Sequence, residues 1–206
     1  QADVRDQKAM NAFVEQAKTE LGRVDFLLAN AGIFSFSTVA EMTDDIWNQM
    51  IDTNLSGVYR AIRAVLPTMI EQRSGRIVAT SSMAGKIGMA NIGHYCAAKW
   101  GVIGLVKSVA VEVGQYGITV NAVCPTTVQT DMILNDAAYR LFLPDEENPT
   151  QEKAKEAFAS LNVLPTPWVE PIDISNAMAF LCSDEARYIS GETIAVSAGM
   201  SASNAG

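Results

Sequence analysis

One histidine, three cysteines and a deficit of basic residues leave this sequence little material for several kinds of chemistry. A lone histidine, His94, gives no case for metal catalysis, because zinc and similar ions need three or four clustered ligands. Cys96, Cys124 and Cys182 are odd in number, show no C-x-x-C spacing and lie partly in apolar runs, so they read as reduced core thiols of a cytoplasmic protein. Lys and Arg number 15 against 23 Asp and Glu, a formal net charge of -8, and phosphate backbones are bound by basic surfaces, which excludes a nucleic-acid partner. No apolar run approaches the ~20 residues of a membrane span, and repeats and low-complexity tracts are absent. What remains is a chain of 206 residues, 49% hydrophobic, that suits one domain with a sizeable core.

Against that background Ser82, Tyr95 and Lys99 stand out, thirteen and then four residues apart in SSMAGKIGMANIGHYCAAKWG. If the run from His94 is helical, the four-residue step stacks a phenol and an ammonium on one face, one turn apart. A tyrosine titrates near ~10, and an adjacent positive charge favours its phenolate, so the pair forms a proton-transfer unit. Ser82 ends the apolar run that starts at Arg76, which reads as a buried strand, and its hydroxyl would emerge at the carboxyl edge of a sheet, where open α/β sheets bind ligands. His94 adjoins Tyr95 but is turned about 100° away on a helix, so it reads as structural or substrate-proximal. Ser81 is the weaker of the two serines.

Helical and strand signals alternate along the chain with short polar connections, the pattern of an α/β sheet. Asp6 caps a helix through Leu21 that stops at Gly22, and Val24 to Ala29 reads as a strand. Thr43 or Asp44 opens a long helical stretch toward Glu71, striped by Met50, Leu55, Val58 and Ile62, with Pro67 placed to kink or break its last turns. A second long helix covers about Gly93 to Gln115. The stretch from Met132 to Pro171 is irregular, with one expected helix at Gln151 to Leu161, and such a long connection is often functional. Asp173 to Cys182 reads as a helix, Thr193 to Val196 as the closing strand, and the tail from Ser197 as poorly periodic. Gly85 and Gly88 read as turn residues between Ser82 and Tyr95.

Taken together, these residues resemble the short-chain dehydrogenase/reductase family. Leu27-Leu28-Ala29-Asn30-Ala31-Gly32 is similar to its strand-ending Asn-Ala-Gly segment, Asn54 falls where it carries a helix-borne catalytic asparagine, and Ser82, Tyr95 and Lys99 complete the tetrad. Pro125-Thr126-Thr127-Val128-Gln129-Thr130 resembles its nicotinamide-side loop, except that Thr126 stands where most relatives have glycine. That variant is similar to the carveol-dehydrogenase-like branch, associated with NAD and the redox partner mycofactocin. The resemblance implies a doubly wound, mostly parallel Rossmann-like sheet with helices on both faces.

The family's glycine-rich diphosphate loop, which binds phosphate at a helix N-terminus, has no counterpart in the sequence shown. Residues 1–206 are therefore expected to be the C-terminal portion of a dehydrogenase domain lacking its first strands, poorly soluble alone, with Asp3 and Val4 at the adenine and a substrate lid at about 132–171.

The implied chemistry is hydride transfer between a nicotinamide cofactor and a secondary alcohol or ketone. Tyr95 takes the hydroxyl proton, Lys99 lowers its pKa and contacts the nicotinamide ribose, Ser82 bonds the reacting oxygen, and Asn54 holds a water that links Lys99 to solvent. Asn30, Ala31, Gly32, Pro125, Val128 and Thr130 are the remaining cofactor contacts. The implied cofactor is NAD, with NADP open because the strand that separates them is not shown. The partners are a small alcohol or ketone and further copies of the chain, as a tetramer built on the two long helices. Two alternatives stay open, an NADPH-dependent ketoacyl or steroid reductase and a non-catalytic, oligomer-forming relative. Leu134, Tyr139, Leu141, Phe142, Leu161 and Trp168 are expected either to line an apolar substrate pocket or to pack on the sheet.

Overall fold

Capping chemistry sets the first helix, α1 (Gln7–Leu21). The Asp6 carboxylate accepts from the Lys8 and Ala9 amides at 2.7 and 3.3 Å, and Gly22 ends the helix at φ 79°, a conformation glycine adopts without a Cβ clash. The computed structural model describes residues 1–203. Strand β1 (Phe26–Ala29) begins two residues later than expected, because the Gln72 side chain occupies the Val24 backbone, accepting from its N–H at 3.0 Å and donating to its carbonyl at 2.9 Å.

Thr43 caps α2 (Asp44–Ile51), a π-helical turn follows at Asp52–Ser56, and α3 (Gly57–Gln72) continues through Pro67. The expected single helix is thus interrupted at residues 52–56, and it does not end at the proline. Next come β2 (Gly75–Thr80), α4 (Gly93–Val113), β3 (Ile118–Pro125), α5 (Asp136–Phe142), α6 (Gln151–Ala159), α7 (Pro171–Cys182), β4 (Thr193–Val196) and α8 (Met200–Ser203). Pro171 occupies the first position of α7, where its missing N–H costs nothing. The short α8 departs from the expected irregular tail; the Ser197 hydroxyl starts it, accepting from the Ser201 amide at 3.4 Å.

The four strands form one parallel sheet in the order β1-β2-β3-β4. Register places Ile77 beside Val120 and Ala79 beside Ala122, and these side chains meet α3 and α4 residues such as Ile62, Met69, Val102 and Val106. The alternate positions, Val78 and Val123, meet Ile174, Met178 and Leu181 of α7. Helices therefore cover both faces, as in a doubly wound α/β sheet. Every residue of β3 is buried, and each such aliphatic side chain contributes roughly 1.5–3 kcal/mol on burial. At one end of the strand order β1 forms an edge, with Phe26 57% and Leu28 50% exposed. Among the described residues no helix is long and apolar enough to cross a membrane.

Candidate active site

The carboxyl ends of β1, β2 and β3 open into a cavity of about 690 Å³. Ser82, Tyr95 and Lys99 all line it, as do Asn30, Ala31 and Gly32 from the end of β1 and Pro125, Val128 and Thr130 from the end of β3. The thirteen- and four-residue spacings thus converge in space. Asn54, Asp3 and Val4 lie outside the lining.

Each tetrad side chain has an identifiable anchor. Ser82 follows β2 in extended backbone and caps a single 3₁₀ turn at Met83–Gly85, its Oγ accepting from the Ala84 amide at 3.1 Å. Ser81, the other serine, donates instead to the Lys99 carbonyl at 2.9 Å. That turn sits so close to α4 that a Cβ on Gly85 would meet the Ser81 hydroxyl at 2.5 Å and the Lys99 carbonyl oxygen at 2.8 Å, so the approach requires glycine. Lys99, only 4% exposed, donates Nζ to the Thr80 carbonyl at 2.7 Å and lies 5.5 Å from the centre of the Tyr95 ring. Thr80 in turn donates to the Asn30 side chain at 2.8 Å.

The Asn54 side chain is held by protein partners. It is fully buried in the π turn, where Oδ1 accepts from the Ile33 amide and Nδ2 donates to the Ile33 carbonyl, both at 2.8 Å. The side chain is therefore committed to fastening the segment that follows Gly32. His94 is structural, fully buried and bonded to Ser35 at 2.9 Å. Asp3 pairs with Arg5 at 2.7 Å, and this pairing holds its carboxyl down to about 2.

Burial dominates the proton chemistry. It pushes the Tyr95 phenol up to about 12, against an opposing hydrogen bond from Ser82, and pulls the Lys99 ammonium down to about 8. Desolvation of each group, and not the charge of the other, sets the direction of both shifts. Thr126, at the position where the resemblance led one to expect glycine, ties β3 to the segment before α7, donating to Asn162 Oδ1 at 3.0 Å.

The apolar residues of segment 132–171 divide into two sets. Phe142 and Leu161 line the cavity, together with Met132 and Ile133. Trp168 and Tyr139 instead pack inside the segment around the fully buried Phe158, and Leu134 and Leu141 stay outside the lining. Helix α5 was not anticipated from the sequence, although Asn135 signals it: its side chain accepts from the Ala138 amide at 3.0 Å.

A family model described as Enoyl-(Acyl carrier protein) reductase matches residues 1–201. A (-)-trans-carveol dehydrogenase of Rhodococcus erythropolis is 48% identical over 200 residues, covering 96% of this chain and 72% of the relative. The chain belongs to the short-chain dehydrogenase/reductase family. As such a dehydrogenase/reductase, it is an NAD(P)-dependent oxidoreductase acting between secondary alcohols and ketones. The crystal structure of a carveol dehydrogenase from Mycobacterium avium in complex with NAD is similar at a TM-score of 0.95 and 44% identity, over 98% of this chain and 74% of that one. A 3-oxoacyl-[acyl-carrier-protein] reductase of Salmonella typhimurium is 40% identical over 200 residues, covering 96% of this chain and 75% of the relative. The dehydrogenase/reductase site fits the nicotinamide end of such a cofactor. Lys99 is buried with a single carbonyl acceptor, leaving two of the three ammonium N–H groups for ribose hydroxyls.

Proposed function

We propose that this enzyme uses NAD to oxidise uncharged, apolar secondary alcohols, or to reduce the corresponding ketones. One observation carries the reading: among the described residues Tyr95 and Lys99 are the only ionisable side chains that line the cavity, whose other walls are mostly apolar, with Met, Ile, Leu and Phe the bulkiest of them. A substrate carboxylate or phosphate there would be buried without a counter-charge beyond Lys99, at a cost of several kcal/mol. NAD as cofactor is supported by the likeness to the NAD-bound structure.

In this reading Asn30, Ala31, Gly32, Pro125, Val128 and Thr130 would hold the nicotinamide half, and Asp3 and Val4 the adenine. The bound cofactor supplies the hydride acceptor. Tyr95 takes the hydroxyl proton, Ser82 bonds the same oxygen, and Lys99 orients the ribose and stabilises negative charge on the phenol oxygen. Asn54 fixes Ile33 through its side chain and holds the water that links Lys99 to solvent. Segment 132–171 serves as the lid of one dehydrogenase domain. A cytoplasmic homotetramer belongs to the same reading, supported by three free cysteines and by exposed Tyr59, Trp100 and Val111 on α3 and α4.

The deciding assay supplies the full-length protein with NAD or NADP and follows reduced cofactor over a panel of cyclic secondary alcohols and matched hydroxy acids. Turnover of the uncharged alcohols with NAD is expected. Preference for hydroxy acids, or for NADPH with acyl-carrier-linked ketones, would replace this reading with the reductase alternative.

The buried pair also fixes a pH dependence. The phenol and the amine share two protons, and the first leaves at about 8. The pair that has lost it keeps one proton between both groups and can accept the alcohol's, whereas ketone reduction needs both present. Oxidation kcat/KM should therefore rise as pH climbs through about 8 while reduction falls over the same interval. Profiles that are flat in both directions would contradict the pairing of Tyr95 with Lys99.

A further inference from the structure

Tyr95 rests against an aromatic side chain that is itself held in place. The Phe34 ring meets the Tyr95 ring edge-on at 4.8 Å and 71°, and meets Phe36 at 4.8 Å and 82°. Phe34 lines the cavity beside Tyr95, whereas Phe36 packs into the buried cluster of segment 132–171. Between them Ser35 turns inward, its hydroxyl 2.9 Å from Nε2 of the fully buried His94. Immediately before them Ile33 is gripped at both backbone atoms by Asn54. Residues 33–35 are thus fastened at one end to the π turn and at the other to α4, with Phe34 carried between the two fastenings.

Space-filling alone does not account for His94. Its Nδ1 is buried without a partner, and a buried polar atom in that condition costs stability that an apolar side chain of similar volume would not. The feature gained in exchange is directional, since the hydrogen bond fixes where Ser35, and hence Phe34, can lie. We propose that the Ser35–His94 pair is a clamp that holds Phe34 against Tyr95 and makes Phe34 the wall that selects alcohols by size. His94 and Ser35 are then positioning residues, and Phe34 sets specificity. The inference rests on the alcohol dehydrogenase reading above.

The test compares kcat/KM for a monocyclic secondary alcohol and for propan-2-ol in the full-length enzyme with NAD. Ser35→Ala should lower the cyclic-to-small ratio by about five- to tenfold, the size of one buried hydrogen bond. The change should come through a raised KM for the cyclic alcohol, with kcat and the NAD Kd within about twofold of wild type. Phe34→Ala should lower the ratio further, and adding Ser35→Ala to it should have no additional effect, because the clamp then has nothing to hold. His94→Gln, whose amide can still bond Ser35, should retain most of the selectivity. An unchanged ratio in Ser35→Ala, or effects that multiply in the double variant, overturns the clamp. Should Ser35→Ala fail to fold, Ser35→Cys carries the same comparison with a weaker bond at similar volume. If the wild type turns over neither alcohol, the functional reading fails while the clamp is judged separately, by crystal structures. A Phe34 ring that leaves Tyr95 in Ser35→Ala supports it, and a ring that stays in place overturns it.

Discussion

Tyr95→Phe abolishes turnover, lowering kcat by at least about 10³-fold, the upper range for removing a general acid–base, while NAD affinity stays within about twofold. The substitution deletes one oxygen and leaves the ring. That ring packs edge-on against Phe34 and lies beside the Lys99 ammonium, so neither the cavity wall nor the lysine loses its neighbour. Removing the phenol also removes a polar group that is largely desolvated, and the melting temperature should hold or rise slightly. Steady-state kinetics, cofactor titration by fluorescence and thermal unfolding of the full-length variant separate these quantities. A variant that keeps even a tenth of wild-type turnover would move the proton-transfer role to another group.

The largest loss of stability is expected from Phe158→Ala in α6, about 3–5 kcal/mol, the range for deleting a buried aromatic side chain. Phe158 is fully buried and heads the largest such side chains in the described residues. Its ring meets Phe142 at 4.7 Å and Trp168 at 6.3 Å, so it binds α5, α6 and the approach to α7 into one cluster. Phe142 belongs to that cluster and also lines the cavity, which couples the stability of the segment to the shape of the site. Chemical denaturation should show a lowered midpoint, and KM for the cyclic alcohol should rise as Phe142 loses its support. Trp168→Leu should cost stability with little change in substrate preference, because Trp168 does not reach the cavity.

How much of this was legible in the sequence follows from which residues act through regular spacing. Ser82, Tyr95 and Lys99 are positioned by a strand end and one helical turn, periods that the sequence carries directly, and all three reach the cavity. Thr193–Val196 was equally readable as a short apolar run, and the helix from Gln7 to Leu21 by its flanking Asp6 and Gly22. Resemblance supplied Asn54, but its side-chain role was hidden because Ile33 lies 21 residues away and no local pattern joins them. Segment 132–171 was read only in part. Short helices there pack on one another, so Tyr139 and Trp168 turn inward to Phe158 while Phe142 and Leu161 reach the site, a division that no period encodes. The start of β1 was misplaced for a comparable reason, since the side chain that occupies Val24 comes from Gln72.

The π turn at Asp52–Ser56 works as a counting device. Met50, Asn54, Val58 and Ile62 are all buried at intervals of four, and on a helix of 3.6 residues per turn each such interval drifts by about 40°, roughly 120° over the three steps. One extra residue in a single turn takes back about 100° of that drift, which lets a methionine before the turn and two aliphatic residues after it share one side. A chain that lost any one residue there would gain a more regular helix. The same loss would rotate one half of it against the other, so that either the core side chains or the asparagine beneath Ile33 faced the wrong way. The irregularity is thus the form in which the helix stores its phase, and the grip on the segment beside Tyr95 depends on that phase being kept.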